Sequence, residues 1–318
     1  MALDTQARAL LSMVYRVGAP RFHELNIHQA RRSFEKLQGA FGGAAEAVAS
    51  VTEVPIPGVH SRDGAIMARL YRPLETASDA ILPVTFYFHG GGWCIGDLAG
   101  YDALCRKLAN LSGAAVMSVD YRLAPEHPFP AAVEDAWQAV AWSLAKASLL
   151  GLDATRFALA GDSAGGTLGT VTALHLRQHN GPQAALQLLV YPCTDILSQR
   201  PSRRAYANGY FLDTDSLAWF FERYLPNQDD WADWRASPLR ADCFDGLPPA
   251  TFIIAGCDPL ADDCKAYAEA LGAAGVPVTV HEFEGMVHGF FTLGKLFEEH
   301  AGDAITRAGK ALAAAFER

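Results

Sequence analysis

The chain has 318 residues, half of them apolar, and a formal charge of −9. This is length for one large domain or two ordinary ones, with enough apolar residues for a sizeable core. The acidic balance argues against a sequence-independent nucleic-acid or anionic-membrane surface, because both need positive patches.

Asp4, Arg8 and Arg16 interrupt the apolar residues at the N-terminus, so no signal-peptide core is expected there. No segment is long and apolar enough to span a bilayer, and a soluble cytoplasmic protein is expected. Helical spacing of Leu3, Ala7, Leu10, Leu11, Val14 and Tyr15 predicts a first helix, ended by Gly18-Ala-Pro20, and a second covers about Ile27 to Leu37. From residue 51 the pattern changes. Val51 to Pro57 and Ala65 to Tyr71 read as strands about a Gly58–Gly64 turn. Strands then alternate with helices: strand Pro83 to Phe88, helix Tyr101 to Leu111, strand Ala114 to Val119, helix Ala131 to Lys146 and strand Arg156 to Ala160. A helix from Thr167 to about Gln178 and a strand from Ala184 to Tyr191 follow. Past an interruption come strand Ala250 to Ala255, helix Asp262 to Gly272, strand Val278 to Phe283 and a C-terminal helix. This alternation predicts an α/β fold with a mostly parallel sheet covered on both faces.

The interruption, about Asp195 to Leu239, is rich in aromatics, among them Tyr206, Tyr210, Phe211, Trp219, Phe220, Phe221 and Tyr224. It reads either as an insertion burying its own rings or, the favoured reading, as a lid over the sheet end where ligands bind in open α/β folds. The six cysteines show no metal-type spacing. They read as buried thiols in a reducing compartment.

Chemistry is concentrated in Gly161-Asp-Ser-Ala-Gly165. A strand stops at Gly161 and a helix follows, with Ser163 at the apex. Small neighbours let strand and helix approach, and unpaired N–H groups at the helix start can stabilise negative charge. A chain this rich in glycine carries the pattern by chance in roughly one case in ten, so its partners decide. A serine hydroxyl needs a base, a group that orients the base, and donors for an oxyanion. In this type of fold the acid and then the histidine follow the serine. Asp258, just past the strand Ala250 to Ala255, is the best acid, although it could merely cap the next helix, as could Asp262 or Asp263. His288, past the strand Val278 to Phe283 and flanked by Gly285 and Gly289, is the best base. His281 lies within a strand, His300 near the last helix, and His60, His175 and His179 precede Asp258. His89-Gly-Gly-Gly-Trp93 follows the strand ending at Phe88 and bares backbone donors. The oxyanion would be held by the N–H groups of Gly91, Gly92 and Ala164.

With these segments, with Asp120-Tyr-Arg-Leu-Ala-Pro-Glu-His-Pro-Phe-Pro-Ala-Ala132, and with Asp258-Pro-Leu and His288-Gly-Phe, the chain resembles the hormone-sensitive-lipase-like (bacterial family IV) carboxylesterases of the α/β-hydrolase superfamily. The matching segments run in family order over roughly residues 83 to 290. The resemblance implies a triad of Ser163, Asp258 and His288, an oxyanion hole of Gly91, Gly92 and Ala164, and no metal or organic cofactor. It implies a helical cap built from residues 1–50 and 195–239 on a catalytic domain of residues 51–194 and 240–318. The activity implied is hydrolysis of short- to medium-chain carboxylic esters, with Trp93, Tyr210 and Phe211 as candidates for the pocket wall. An amidase or deacetylase using the same triad is an alternative; a non-catalytic receptor is another, disfavoured by His288. His89 and Trp93 are expected to shape the oxyanion loop, and Asp162 and Glu126 to hold loops near the elbow. The strand Val278 to Phe283 is a possible pairing edge for a homodimer.

Overall fold

Two helices precede the sheet in the computed structural model, which describes residues 2–58 and 64–317. Helix α1 spans Thr5–Arg16 and α2 spans Ile27–Phe41. Each starts at a side-chain cap. Asp4 accepts from the Gln6 N–H, and Asn26 and Gln29 exchange reciprocal bonds. Ala7, Leu10 and Leu11 are the buried stripe of α1, whereas Tyr15, expected on the same stripe, is exposed.

Strands β1 (Ser50–Pro57) and β2 (Ala65–Arg72) pair antiparallel from Ser50 opposite Arg72 to Pro57 opposite Ala65. Residues 59–63 of the expected turn lie outside the described residues. The chain continues through β3 (Leu82–Phe88), α3 (Asp102–Ser112), β4 (Ala115–Asp120), α4 (Ala131–Ala145), the one-turn α5 (Ala147–Leu150), β5 (Leu152–Asp162), α6 (Ala164–Gln178) and β6 (Leu186–Val190). Then come α7 (Pro201–Ala205), α8 (Thr214–Tyr224), β7 (Ala250–Cys257), α9 (Ala261–Ala273), β8 (Val278–Val287) and α10 (Glu298–Phe316). The sheet has eight strands in the order β1-β2-β4-β3-β5-β6-β7-β8. β2 also pairs antiparallel with β4, and every later pair is parallel. This is an α/β-hydrolase architecture.

Strands β6 and β7 are buried at every residue, so neither face of the central sheet meets water. Helices supply the cover, α10 packing on α3 and α4 on α6. β8 lies at the sheet edge, with Val280, Glu282 and Glu284 toward the outside of the core.

Two strands are longer than periodicity predicts, and both extensions matter. β5 starts at Leu152, where its pairing with β3 shifts register between Leu82 and Val84. β8 runs past Phe283 to Val287, because a bulge opposite Ala255–Cys257 lets Val287 pair with Cys257. A bulge adds a residue and re-aims the side chains beyond it. Four chemically loaded residues therefore each come immediately after a strand: His89 after β3, Ser163 after β5, Asp258 after β7 and His288 after β8. β3, β5, β6, β7 and β8 run parallel, so all four ends open on one edge of the sheet.

Candidate active site

Ser163 links β5 directly to α6 in a conformation forbidden to most side chains, with φ +53° and ψ −120°. The turn is tight enough that a Cβ built on Gly165 would overlap the Phe88 carbonyl oxygen, so position 165 accepts no side chain. The strain is held by the Ser163 N–H, which donates to the Val190 carbonyl at 2.8 Å.

The strand ends bring the three side chains selected from sequence together. His288 Nε2 is 3.0 Å from Ser163 Oγ, and His288 Nδ1 is 2.6 Å from Asp258 Oδ2. Since a carboxylate only accepts, Nδ1 carries the proton and Nε2 is left to accept from the serine hydroxyl. Asp258 is fully buried, and its other oxygen accepts from the Leu260 N–H at 2.8 Å. This bond closes the turn before α9, whose N-cap position is Leu260 and has no side-chain cap. Of the alternative caps, Asp262 accepts from the Ser202 N–H and Asp263 pairs with Arg203.

Gly91 and Gly92 have φ of +118° and +56°. Among the described residues, none accepts a hydrogen bond from the N–H of Gly91, Gly92 or Ala164. All three residues line a cavity of about 70 Å³ together with Ser163 and His288. Free N–H groups beside a nucleophile are what a developing oxyanion requires.

Beneath the loop, Asp162 is buried and accepts from Tyr87 Oη at 2.8 Å and from Tyr101 Oη and the Gly90 N–H at 3.0 Å each. Burial pushes its carboxyl up to about 6, although the tyrosine hydroxyls and His288 favour the charged form. His89 is stacked on Tyr121, 4.3 Å between ring centres, and burial lowers it to about 4. It is a neutral spacer under the loop. Glu126 forms a forked pair with Arg31 of α2, and Arg31 also donates to the Cys94 and Ala124 carbonyls.

Of the residues expected in the pocket wall, Trp93 and Phe211 line the cavity and Tyr210 does not. Tyr210 packs edge-on against Tyr206 instead, while Phe211, at φ +70°, turns toward Gly289 beside His288. Phe22 and Phe34 from the N-terminal helical region and Leu217 and Phe220 from α8 add to the wall. None of these four has a local signature, because what selects them is a contact between segments about 200 residues apart, such as Phe22 on Phe220 at 5.4 Å. Tyr191 likewise carries no sequence signal for the site, yet its ring lies 4.5 Å from that of His288.

His281 and His300 are engaged with Arg307 and Asp4, and His175 stacks on Trp137. Cys257 packs with its thiol on the Glu284 carbonyl, and burial raises it. All six cysteines are unpaired. Among the described residues no helix is long and apolar enough to cross a membrane, and no group of three or more His, Cys, Asp or Glu is placed to hold a metal ion.

A family profile described as the alpha/beta hydrolase fold matches residues 85–292. The ethyl acetate hydrolase of Pseudomonas putida is 38% identical over 87% of both chains. The esterase LipI of Mycobacterium tuberculosis is 45% identical over 71% of each. Among solved structures, an ester-hydrolase from the metagenome of Lake Arreo, held in complex with a bipyridine phosphonate derivative, superposes with a TM-score of 0.95 at 39% identity, covering 99% of this chain and 100% of that one.

Proposed function

The chain belongs to the alpha/beta-hydrolase fold family, in its hormone-sensitive-lipase-like group, and is a carboxylic ester hydrolase; from that premise we propose that Ser163, His288 and Asp258 carry the reaction through an acyl-enzyme. Ser163 Oγ attacks the ester carbonyl as His288 Nε2 takes its proton. Asp258 keeps the imidazole in the required tautomer and stabilises the imidazolium without being protonated itself. The negative charge on the carbonyl oxygen is taken up by the N–H groups of Gly91, Gly92 and Ala164. His288 then protonates the departing alcohol, and the Ser163 ester remains. A water molecule gives its proton to His288 and adds to the acyl carbon, and the returning proton frees Ser163 and the acid.

One observation carries the reading: the 2.6 and 3.0 Å relay from Asp258 through His288 ends at Ser163, in a cavity lined by three residues with unclaimed N–H groups. The substrate class is drawn from the cavity. It is small and walled by aromatic and aliphatic side chains, which suits short to medium acyl chains with no charge. Residues 1–50 and 195–239 act as the cap that encloses them. Edge strand β8 offers a second copy of the chain a pairing surface, which sedimentation tests, and the unpaired cysteines agree with a cytoplasmic location.

The test is a series of p-nitrophenyl esters from acetyl to palmitoyl, with Ser163→Ala as control. Turnover should peak at the short end and vanish in the variant. Retained activity in Ser163→Ala overturns the nucleophile, and a maximum at palmitoyl overturns the substrate class. A matching ester and amide pair separates esterase from amidase.

A further inference from the structure

The glycines that offer the oxyanion donors are followed by a residue with no conformational freedom to spare. Gly91, Gly92 and Trp93 are three consecutive residues at positive φ, and Trp93, at +58°, has a Cβ to accommodate. Such a residue persists only where its surroundings hold it. Within the loop, the Cys94 and Ile95 N–H groups close on the Gly91 carbonyl, and the Ala124 N–H donates to the Trp93 carbonyl. None of these three bonds restrains the indole.

The indole is held by α8. The Tyr224 ring lies flat against Trp93, 4.3 Å between centres and 5° from parallel. Tyr224 is 1% exposed, with Phe129 edge-on behind it and its carbonyl accepting from the Phe129 N–H at 2.8 Å. One turn earlier on α8, Phe220 lies against Gly92: a Cβ added to Gly92 would run into the Phe220 ring. The Cys94 thiol faces the Phe220 carbonyl at 3.9 Å. The Tyr224 hydroxyl has no hydrogen-bond partner among the described residues, so its ring does the holding.

We propose that Tyr224 is a positioning residue for the oxyanion hole: through Trp93, helix α8 sets the aim of the Gly91 and Gly92 N–H groups, so the segment that covers the substrate also completes the catalytic site. The inference rests on the oxyanion reading above. It makes cap and catalysis one unit, since any shift of α8 moves Trp93 and Phe220 together and takes the donors with them.

The experiment measures kcat and KM on p-nitrophenyl acetate and inhibition by an alkyl trifluoromethyl ketone and its matching carbinol. Ser163 Oγ adds to the ketone carbon as His288 takes its proton, and the opened C=O bond leaves an oxyanion among the donors; the carbinol fills the same space without one. In Tyr224→Leu, kcat should fall about 10- to 100-fold with KM little changed, since a small misplacement of donors is costly. Ketone affinity should fall by a similar factor while the carbinol is unaffected. Tyr224→Phe, which keeps the ring, should behave as the parent. Phe220→Leu should also lower the ketone-to-carbinol ratio, and it carries the test if Tyr224→Leu does not fold. A folded Tyr224→Leu protein with the parent's ratio overturns the proposal, as does failure of both leucine variants to fold, which would make α8 scaffolding alone. A parent enzyme that binds ketone and carbinol equally would instead overturn the oxyanion reading.

Discussion

At the strand ends, position is set by backbone. Ser163, Asp258 and His288 each come one residue after a strand, and hydrogen-bonded pairing of β5, β7 and β8 decides where they stand. In the two segments that supply Phe22, Phe34, Leu217 and Phe220 to the cavity wall, position is set by side chains from distant parts of the sequence. Arg21 bonds Asp213 at 2.9 Å, Arg203 bonds Asp263 at 2.7 Å, and Phe22 packs on Phe220. A strand register is all or nothing, since a slip of one residue turns a side chain to the other face. Packed side chains can be exchanged a few at a time and re-form. The first region should therefore respond to substitution by losing chemistry, and the second by changing stability or preference.

The sharpest way to break this contrast is Asp258→Asn. The amide keeps the shape but offers the wrong hydrogen-bond partner to His288 Nδ1, and kcat should drop on the order of 10⁴-fold with little change in thermal midpoint. An unaltered kcat would place the orienting acid elsewhere. Arg203→Ala should do the reverse. It leaves the fully buried Asp263 without its main partner, and breaking such a pair costs about 3–5 kcal/mol. Urea denaturation should report that loss, while kcat at 25 °C stays near the parent value.

Gly92→Ala joins the two regions. The new Cβ must adopt φ +56° and meets the Phe220 ring, so kcat/KM should fall about 10²–10³-fold, as for loss of one donor. The double variant with Phe220→Ala should recover part of that if contact matters, and none if the backbone strain dominates. Phe34→Ala enlarges the cavity that Phe34 lines. A chain-length series should move toward longer acyl groups, with ratios changing about 10-fold. The smallest effect is in pH. His89 and His175 are lowered to about 4 by burial, so they favour the fold fully above about 6.5 and lose that contribution as pH falls through 4. Asp162 is raised to about 6 and acts oppositely, favouring the fold below about 3.9 and less so as pH rises through 6. Asp162→Asn removes the opposing contribution. Its denaturation midpoints should therefore fall more steeply between pH 6.5 and 4 than the parent's.

The legible part of the molecule follows the same division. The α/β alternation and the strand ends could be read because hydrophobic runs and small turn residues are local. The elbow at Ser163 and the glycines after Phe88 are written in adjacent residues. The extension of β8 to Val287 was not legible, because a bulge opposite Ala255–Cys257 depends on the neighbouring strand. Nor was the wall of the cavity. Tyr210 and Phe211 are adjacent aromatics of similar pattern, and a positive φ at Phe211 separates their directions. Phe22 and Phe34 look like ordinary amphipathic positions until α8 is laid against them. The roles of Glu126 and Arg31 emerge only when α2 meets the loop after β4.

The contact between Gly165 and the Phe88 carbonyl has a consequence for how such a chain can change over generations. Every amino-acid replacement at a glycine adds at least one carbon, and at position 165 that carbon has no volume to enter. Every replacement there is expected to give inactive protein, whatever the substrate under selection. A mutagenesis campaign for a new ester should accordingly accumulate its successes among residues such as Phe22, Phe34 and Phe211, leaving the turn around Ser163 untouched. The divergence that separates one such hydrolase from another would then collect where side chains, rather than peptide planes, face the substrate.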